Sequence, residues 1–147
     1  MWDGTLLRDA APGGMDTLLF VRRLKDCEEF VAGDATRLRE LLHPDKAPLA
    51  LRYSLAHARV EPRCRSDSHR LRHSEVYYIL RGQGRMHVGS ETSDVAEGDT
   101  LYVPPNEWQH IENTGSEELV FLCIVDPAWK IEDEEGRESD GAPSVPD

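Results

Sequence analysis

Positions 69 to 75 read His-Arg-Leu-Arg-His-Ser-Glu, placing two imidazoles and a carboxylate within one short segment. Imidazole nitrogen and carboxylate oxygen bind divalent ions at about 2.0 to 2.2 Å. They are also the groups that most often move protons in catalysis. Distance decides whether they can act together. On a straight strand His69 and Glu75 stand six steps of about 3.3 Å apart, roughly 20 Å, too far to meet at one ion. The chain therefore has to double back, with His69 ending one strand and Glu75 opening the next, and the polar "RLRHS" suits a bend.

The elements that must hold this bend are short and β-rich. From Leu49 onward, "LALRYSLAHARV", "EVYYIL", "RMHV", "TLYVPP" and "LVFLCIV" are separated by Gly82-Gln83-Gly84, Gly89-Ser90, Glu97-Gly98-Asp99 and Asn113-Thr114-Gly115. Short strands with Gly/Asn turns every 8 to 12 residues predict an antiparallel sandwich or barrel, and no strand–helix alternation supports a parallel sheet. "RGQGRM" is expected to be a hairpin turn. Ahead of this region "TLLFVRRL" predicts a first strand, and in "DCEEFVAGDATRLRELLHP" Asp34 could cap a short helix through Leu42 that Pro44 would end. An irregular arm is the alternative there. Residues 1–14 are Gly/Pro-bearing with few apolar anchors, and residues 132–147 are acidic and unpatterned, so both ends are expected to be flexible or disordered around a single domain at 15–131.

Composition narrows the function classes. The net charge is −11, of which the segment from Glu132 onward, with seven acids and one Arg, supplies −6. Without a basic stripe, binding to nucleic-acid phosphates is not expected. No run of about 18 apolar residues is present and the start lacks a signal-peptide pattern, so no membrane partner and a cytoplasmic location are expected. Cys27, Cys64 and Cys123 are odd in number and lack C-x-x-C spacing, which speaks against disulfides or a zinc knuckle. There is no G-x-S-x-G elbow, phosphate loop or H-E-x-x-H helix.

The spacing of the polar residues resembles that of the cupins. In the first cupin motif, G-x5-H-x-H-x3 or 4-E-x6-G, His69, Glu75, "VYYILR" and Gly82 fall at matching places; in the second, G-x5-P-x-G-x2-H-x3-N, so do Gly98, "DTLYV", Pro104 and Asn113. The resemblance implies an all-β double-stranded β-helix, or jelly-roll, barrel with its core at about 50–127, preceded by a short strand/helix arm. It also implies a metal or ligand pocket in the barrel mouth and a homodimer. The departures are Leu71 at the second histidine of the first motif, Asn106 at a glycine, and Gln109 at the histidine of the second motif.

Of the family's three His and one Glu, His69 and Glu75 remain. Gln109 can offer an amide oxygen, giving a set that tilts toward harder divalent ions, with Zn, Mn, Fe and Ni all open. His73 could swing in as a fourth ligand or act as the catalytic base, and His110 would face inward only if a bulge slipped the register by one. Both could equally be rim histidines. Tyr77 and Trp108 could wall a small-molecule ligand, although such residues also fill barrels; of Tyr77 and Tyr78 at most one should point inward. Arg70, Arg72 and Arg81 could meet an anion or simply be solvated. The function expected is a metal-dependent isomerase or dioxygenase acting on a small sugar-like or carboxylate substrate; the alternative is a non-enzymatic, metal-free binding or sensing cupin. A dimerisation scaffold is a third, weaker reading.

Overall fold

The structure, a computed structural model, describes residues 18–137. Among the described residues eleven strands form two antiparallel sheets. β1 (Phe30–Val31), β2 (Arg37–Leu42), β3 (Ser54–Val60), β10 (Leu119–Asp126), β5 (Ser74–Arg81) and β8 (Thr100–Val103) lie side by side in that order. The second sheet runs β11 (Glu134–Gly136), β4 (His69–Leu71), β9 (Gln109–Asn113), β6 (Gln83–Val88) and β7 (Glu91–Ala96). This is an antiparallel architecture of the kind that the turn spacing predicts, and the jelly roll that the cupin resemblance implies. Alternation along β5 and β9 sends Tyr77, Ile79 and Ile111 inward, where they meet Val103, Leu119 and Phe121 between the sheets. The Tyr77 and Phe121 rings stack at 5.0 Å.

Four local expectations change. "RLRELL" is strand β2, paired with β3 through Leu38 opposite Ala58, and the helix from Asp34 to Leu42 does not form. Asp34 does accept hydrogen bonds from its own neighbourhood, from the Thr36 amide (3.1 Å) and hydroxyl (2.7 Å), but it closes the turn between β1 and β2. Sheet pairing outweighs the helical propensity of Leu, Arg and Glu. In "TLLFVRRL", residues 18–23 are irregular and Leu24 begins a single 3-10 turn, so no strand forms among its described residues. "RGQG" is no hairpin: Gly82, at φ +97°, is the corner where the chain leaves the six-stranded sheet for the five-stranded one. A Cβ there would stand 2.5 Å from the Glu118 carbonyl oxygen, so glycine is what lets the corner approach β10.

The fourth change concerns the acidic end. The tail expected to be disordered from Glu132 begins as structure, since Glu134–Gly136 pair with β4, Glu134 opposite Leu71. Residues 1–14 and 138–147 lie outside the described residues. Cys27, Cys64 and Cys123 are all free thiols, as their spacing suggests.

Candidate functional site

The reversal required between His69 and Glu75 takes place at Arg72-His73, where the chain leaves β4 and enters β5. His69 thus opens β4 and does not end a strand. Because β4 and β5 belong to opposite sheets, their inward-facing residues meet across the barrel. His69 Nε2 lies 4.0 Å from Glu75 Oε1. Both residues are buried.

Gln109 lies opposite His69 in register and completes a buried chain of bonds. Its amide donates to Glu75 Oε1 (3.1 Å), and its carbonyl oxygen accepts from the Tyr77 hydroxyl (2.5 Å). The His69 Nδ1–H points at the Asp67 carbonyl (3.1 Å), which leaves the Nε2 lone pair facing the interior. A group the sequence reading missed, Asp34, brings Oδ2 to 3.7 Å from the same Nε2. The turn carrying it is tied down by the Asp67 amide, which donates to the Asp34 carbonyl (2.7 Å), and Ala35 in that turn sits at φ +72°.

Asp34, His69, Glu75 and Tyr77 line a cavity of about 110 Å³, which the β1–β2 turn, Trp129 and Glu134 also line. The Trp129 indole donates to Glu134 Oε1 (2.7 Å), so the strand at the acidic end forms part of the wall. Leu71, at the place of a family histidine, presents an apolar side chain to the same cavity.

Electrostatics separate the roles of these groups. Burial pushes the Glu75 carboxyl up to about 7, against the opposing pull of His69 and the Gln109 amide. Burial alone would depress the His69 imidazolium, but Asp34, Glu75 and Glu134 outweigh it and hold it above its ordinary value. Each group therefore sets the other's charge, and the two titrate as one coupled unit. Burial, reinforced by Glu75, raises the Tyr77 hydroxyl and the Cys123 thiol well above their usual ranges, so Tyr77 is a hydrogen-bond donor and Cys123 a protonated thiol.

Of the residues singled out in the sequence, His69, Glu75, Gln109 and Tyr77 converge. Tyr78, next to Tyr77, is exposed, as alternation requires. His73 points out of the cavity and pairs with Asp133 at 3.3 Å. Trp108 lies between the Arg70 and Arg137 guanidinium groups, 4.7 and 4.0 Å from its ring centre, and does not line the cavity. His110 stays on the outer face because β9 carries no bulge against β6. Arg70 and Arg81 are engaged by Glu135 and Glu118.

Two antiparallel sheets enclosing a buried His69/Glu75/Gln109 cluster define a jelly-roll β-barrel. The comparisons make that more specific: the Cupin domain profile matches residues 56–125. An uncharacterized protein of Methanocaldococcus jannaschii is 38% identical over 107 residues, 72% of this chain and 85% of that protein. The chain belongs to the cupin family. L-ectoine synthase of Vibrio cholerae is 27% identical over 80% of this chain and 88% of its own. Among solved structures, Streptomyces Pac13 with uridine superposes with a TM-score of 0.66 at 21% identity, over 81% of this chain and 90% of that one; Pac13 is described as a nucleoside dehydratase. A predicted oxalate decarboxylase of Thermotoga maritima gives 0.66 at 22% identity, over 74% and 99%. Among the described residues no helix is long and apolar enough to cross a membrane.

Proposed function

We propose that the chain is an enzyme that binds a small polar molecule in the barrel and moves protons on it with His69 and Glu75. The observation that carries this reading is the buried His69–Glu75 pair, 4.0 Å apart, with Glu75 pushed up to about 7. A general acid and base work best with pKa values near the operating pH. His69 Nε2 takes a proton from a carbon or hydroxyl of the substrate. Glu75, protonated, returns one to carbon for an isomerisation, or to a departing hydroxyl so that water leaves. Gln109 and Tyr77 fix the Glu75 carboxyl, and the mainly apolar walls exclude bulk water. The cavity suits a small molecule and not a polymer. That relatives are named an ectoine synthase and a nucleoside dehydratase agrees with chemistry on small polar compounds.

A second reading has its own support in donor geometry. His69 Nε2 has carboxylate oxygens of Asp34 and Glu75 at 3.7 and 4.0 Å, separations that a divalent ion could bridge. The donor set differs from the one expected: the Gln109 oxygen is held by Tyr77, His73 points away, and Asp34 takes their place. One imidazole and two carboxylates fit an oxygen-preferring ion. Bound there, such an ion would act as a Lewis acid on a substrate oxygen for isomerase- or oxygenase-type chemistry.

We also propose a homodimer in the cytoplasm. Exposed Tyr78, Leu80, Tyr102 and Ile124 on the six-stranded sheet support a second copy as the partner, and light scattering at micromolar concentration tests it.

The test of function is a screen of sugars, nucleosides and small carboxylates by thermal shift, followed by NMR in D2O for deuterium incorporation or water loss. Hits should fail with His69→Ala and Glu75→Gln. Turnover that survives both variants would sink the proton-transfer reading. Elemental analysis of protein purified without a metal column, repeated on Asp34→Asn, decides the second reading. Stoichiometric metal that Asp34→Asn releases would support it, and no metal would end it.

A further inference from the structure

A separate group of ligand-type side chains lies on the outside of the barrel. β6 and β9 place His87 directly opposite His110. Their neighbours Met86 and Ile111 are buried in the core, so alternation turns both imidazoles to the outer face of the five-stranded sheet. The two rings stack at 4.1 Å with an interplanar angle of 13°. Glu112, two residues beyond His110 and so on the same face, has Oε1 2.7 Å from His87 Nε2. One nitrogen from each imidazole and one Glu112 oxygen all lie within 4.8 Å of one another.

We propose that His87, His110 and Glu112 form a surface site for a borderline divalent transition ion of the Zn2+ type. Two imidazoles and one carboxylate are a zinc donor set that leaves a fourth position open to water. The two nitrogens select against Mg2+ and Ca2+, which prefer all-oxygen shells. Ligands at about 2.0 to 2.2 Å from one tetrahedral ion stand roughly 3.4 Å apart, so donors already within 4.8 Å converge once side-chain rotation opens the ring stack. The side chains of His87 and Glu112 are 25% and 36% exposed, open enough for an ion to enter from water. The backbone beneath them is fixed by the β6–β9 ladder, so the ligands come from two paired strands and the ion would join one to the other. Two arginines flank Glu112: Arg85, opposite it in the β6–β9 register, binds Asp94 (2.9 Å), and Arg65 forms a β-bridge with it on the other side. The sheet itself separates this face from the cavity, so the inference does not depend on the function proposed above.

Co2+ titration of the full chain tests it, since a tetrahedral nitrogen and oxygen shell gives visible ligand-field bands. The Glu75→Gln background removes a cavity carboxylate so that the cavity does not compete for the ion. We expect saturable bands in that background, displaced by one equivalent of Zn2+. Affinity should fall at least tenfold in His87→Thr and in His110→Thr, substitutions that keep a strand-forming residue on the outer face, with circular dichroism confirming the fold. Glu112→Gln should weaken binding to a smaller extent. Bands that persist unchanged in both threonine variants, or no saturable binding up to millimolar Co2+, would overturn the proposal.

Discussion

Glu75→Gln isolates the energetic cost of keeping a carboxyl group inside the barrel. A carboxyl whose folded pKa lies above its unfolded one binds more protons folded than unfolded between the two values. The fold therefore loses stability as pH rises from about 4.5 to about 7, and the full cost is present above that window. A rise from 4.5 to about 7 corresponds to about 3 kcal/mol. Glutamine is neutral at every pH, fills the same volume and still offers an oxygen to the Gln109 amide. His69 keeps Asp34 as its counter-charge. Urea unfolding at pH 8 should therefore show Glu75→Gln more stable than the parent by up to about 3 kcal/mol. The gain should shrink to within about 0.5 kcal/mol near pH 4.5, where the parent carboxyl is protonated in the folded state and half protonated in the unfolded one. A variant that is less stable at pH 8, or a difference that does not change with pH, would refute a neutralised buried Glu75. Activity should move the opposite way, since the stabilised variant has lost its proton.

Three further outcomes follow from particular contacts. Tyr77→Phe removes the donor to the Gln109 oxygen and leaves a buried acceptor unpaired, at a cost of about 1 to 3 kcal/mol in urea unfolding; no loss would mean that Gln109 finds another partner. Gly82→Ala should destabilise by more than about 2 kcal/mol, because the new Cβ meets the Glu118 carbonyl oxygen at 2.5 Å in a left-handed corner, and a wild-type melting temperature would contradict the corner geometry. Ending the chain after Asp133 removes β11 and the partner of the Trp129 indole. It should lower stability by about 2 kcal/mol, shift the tryptophan emission to the red, and weaken any ligand found in the thermal-shift screen.

The β-rich architecture and the pairing of His69 with Glu75 were legible in the sequence because both rest on spacing. Turn residues at regular intervals mark short strands, and six strand steps cannot separate two groups of one site unless the chain reverses. Gln109 joins them through the resemblance, since it stands where the second cupin motif carries a histidine, and in the structure it shares the buried side of β9 with Ile111 and Asn113. Strand period required that at most one of Tyr77 and Tyr78 face inward, and the structure places Tyr77 inside and Tyr78 in solvent. "RLRELL" misled because its residues favour a helix in isolation, and only pairing with β3 makes it a strand.

What the sequence by itself determined is the β-rich character of the core with the turns that divide it, and two residues of the site, since alternation and turn chemistry are local. Tertiary structure alone decided the rest. Asp34, thirty-five positions before His69, and Glu134, fifty-nine positions after Glu75, reach the cavity through a turn and an edge strand whose places depend on long-range pairing. His73, so close to Glu75 in the chain, is carried out of the cavity by the same reversal that brings Glu75 in. Side chains at a bend point where the local backbone turns them, and no periodicity encodes that direction.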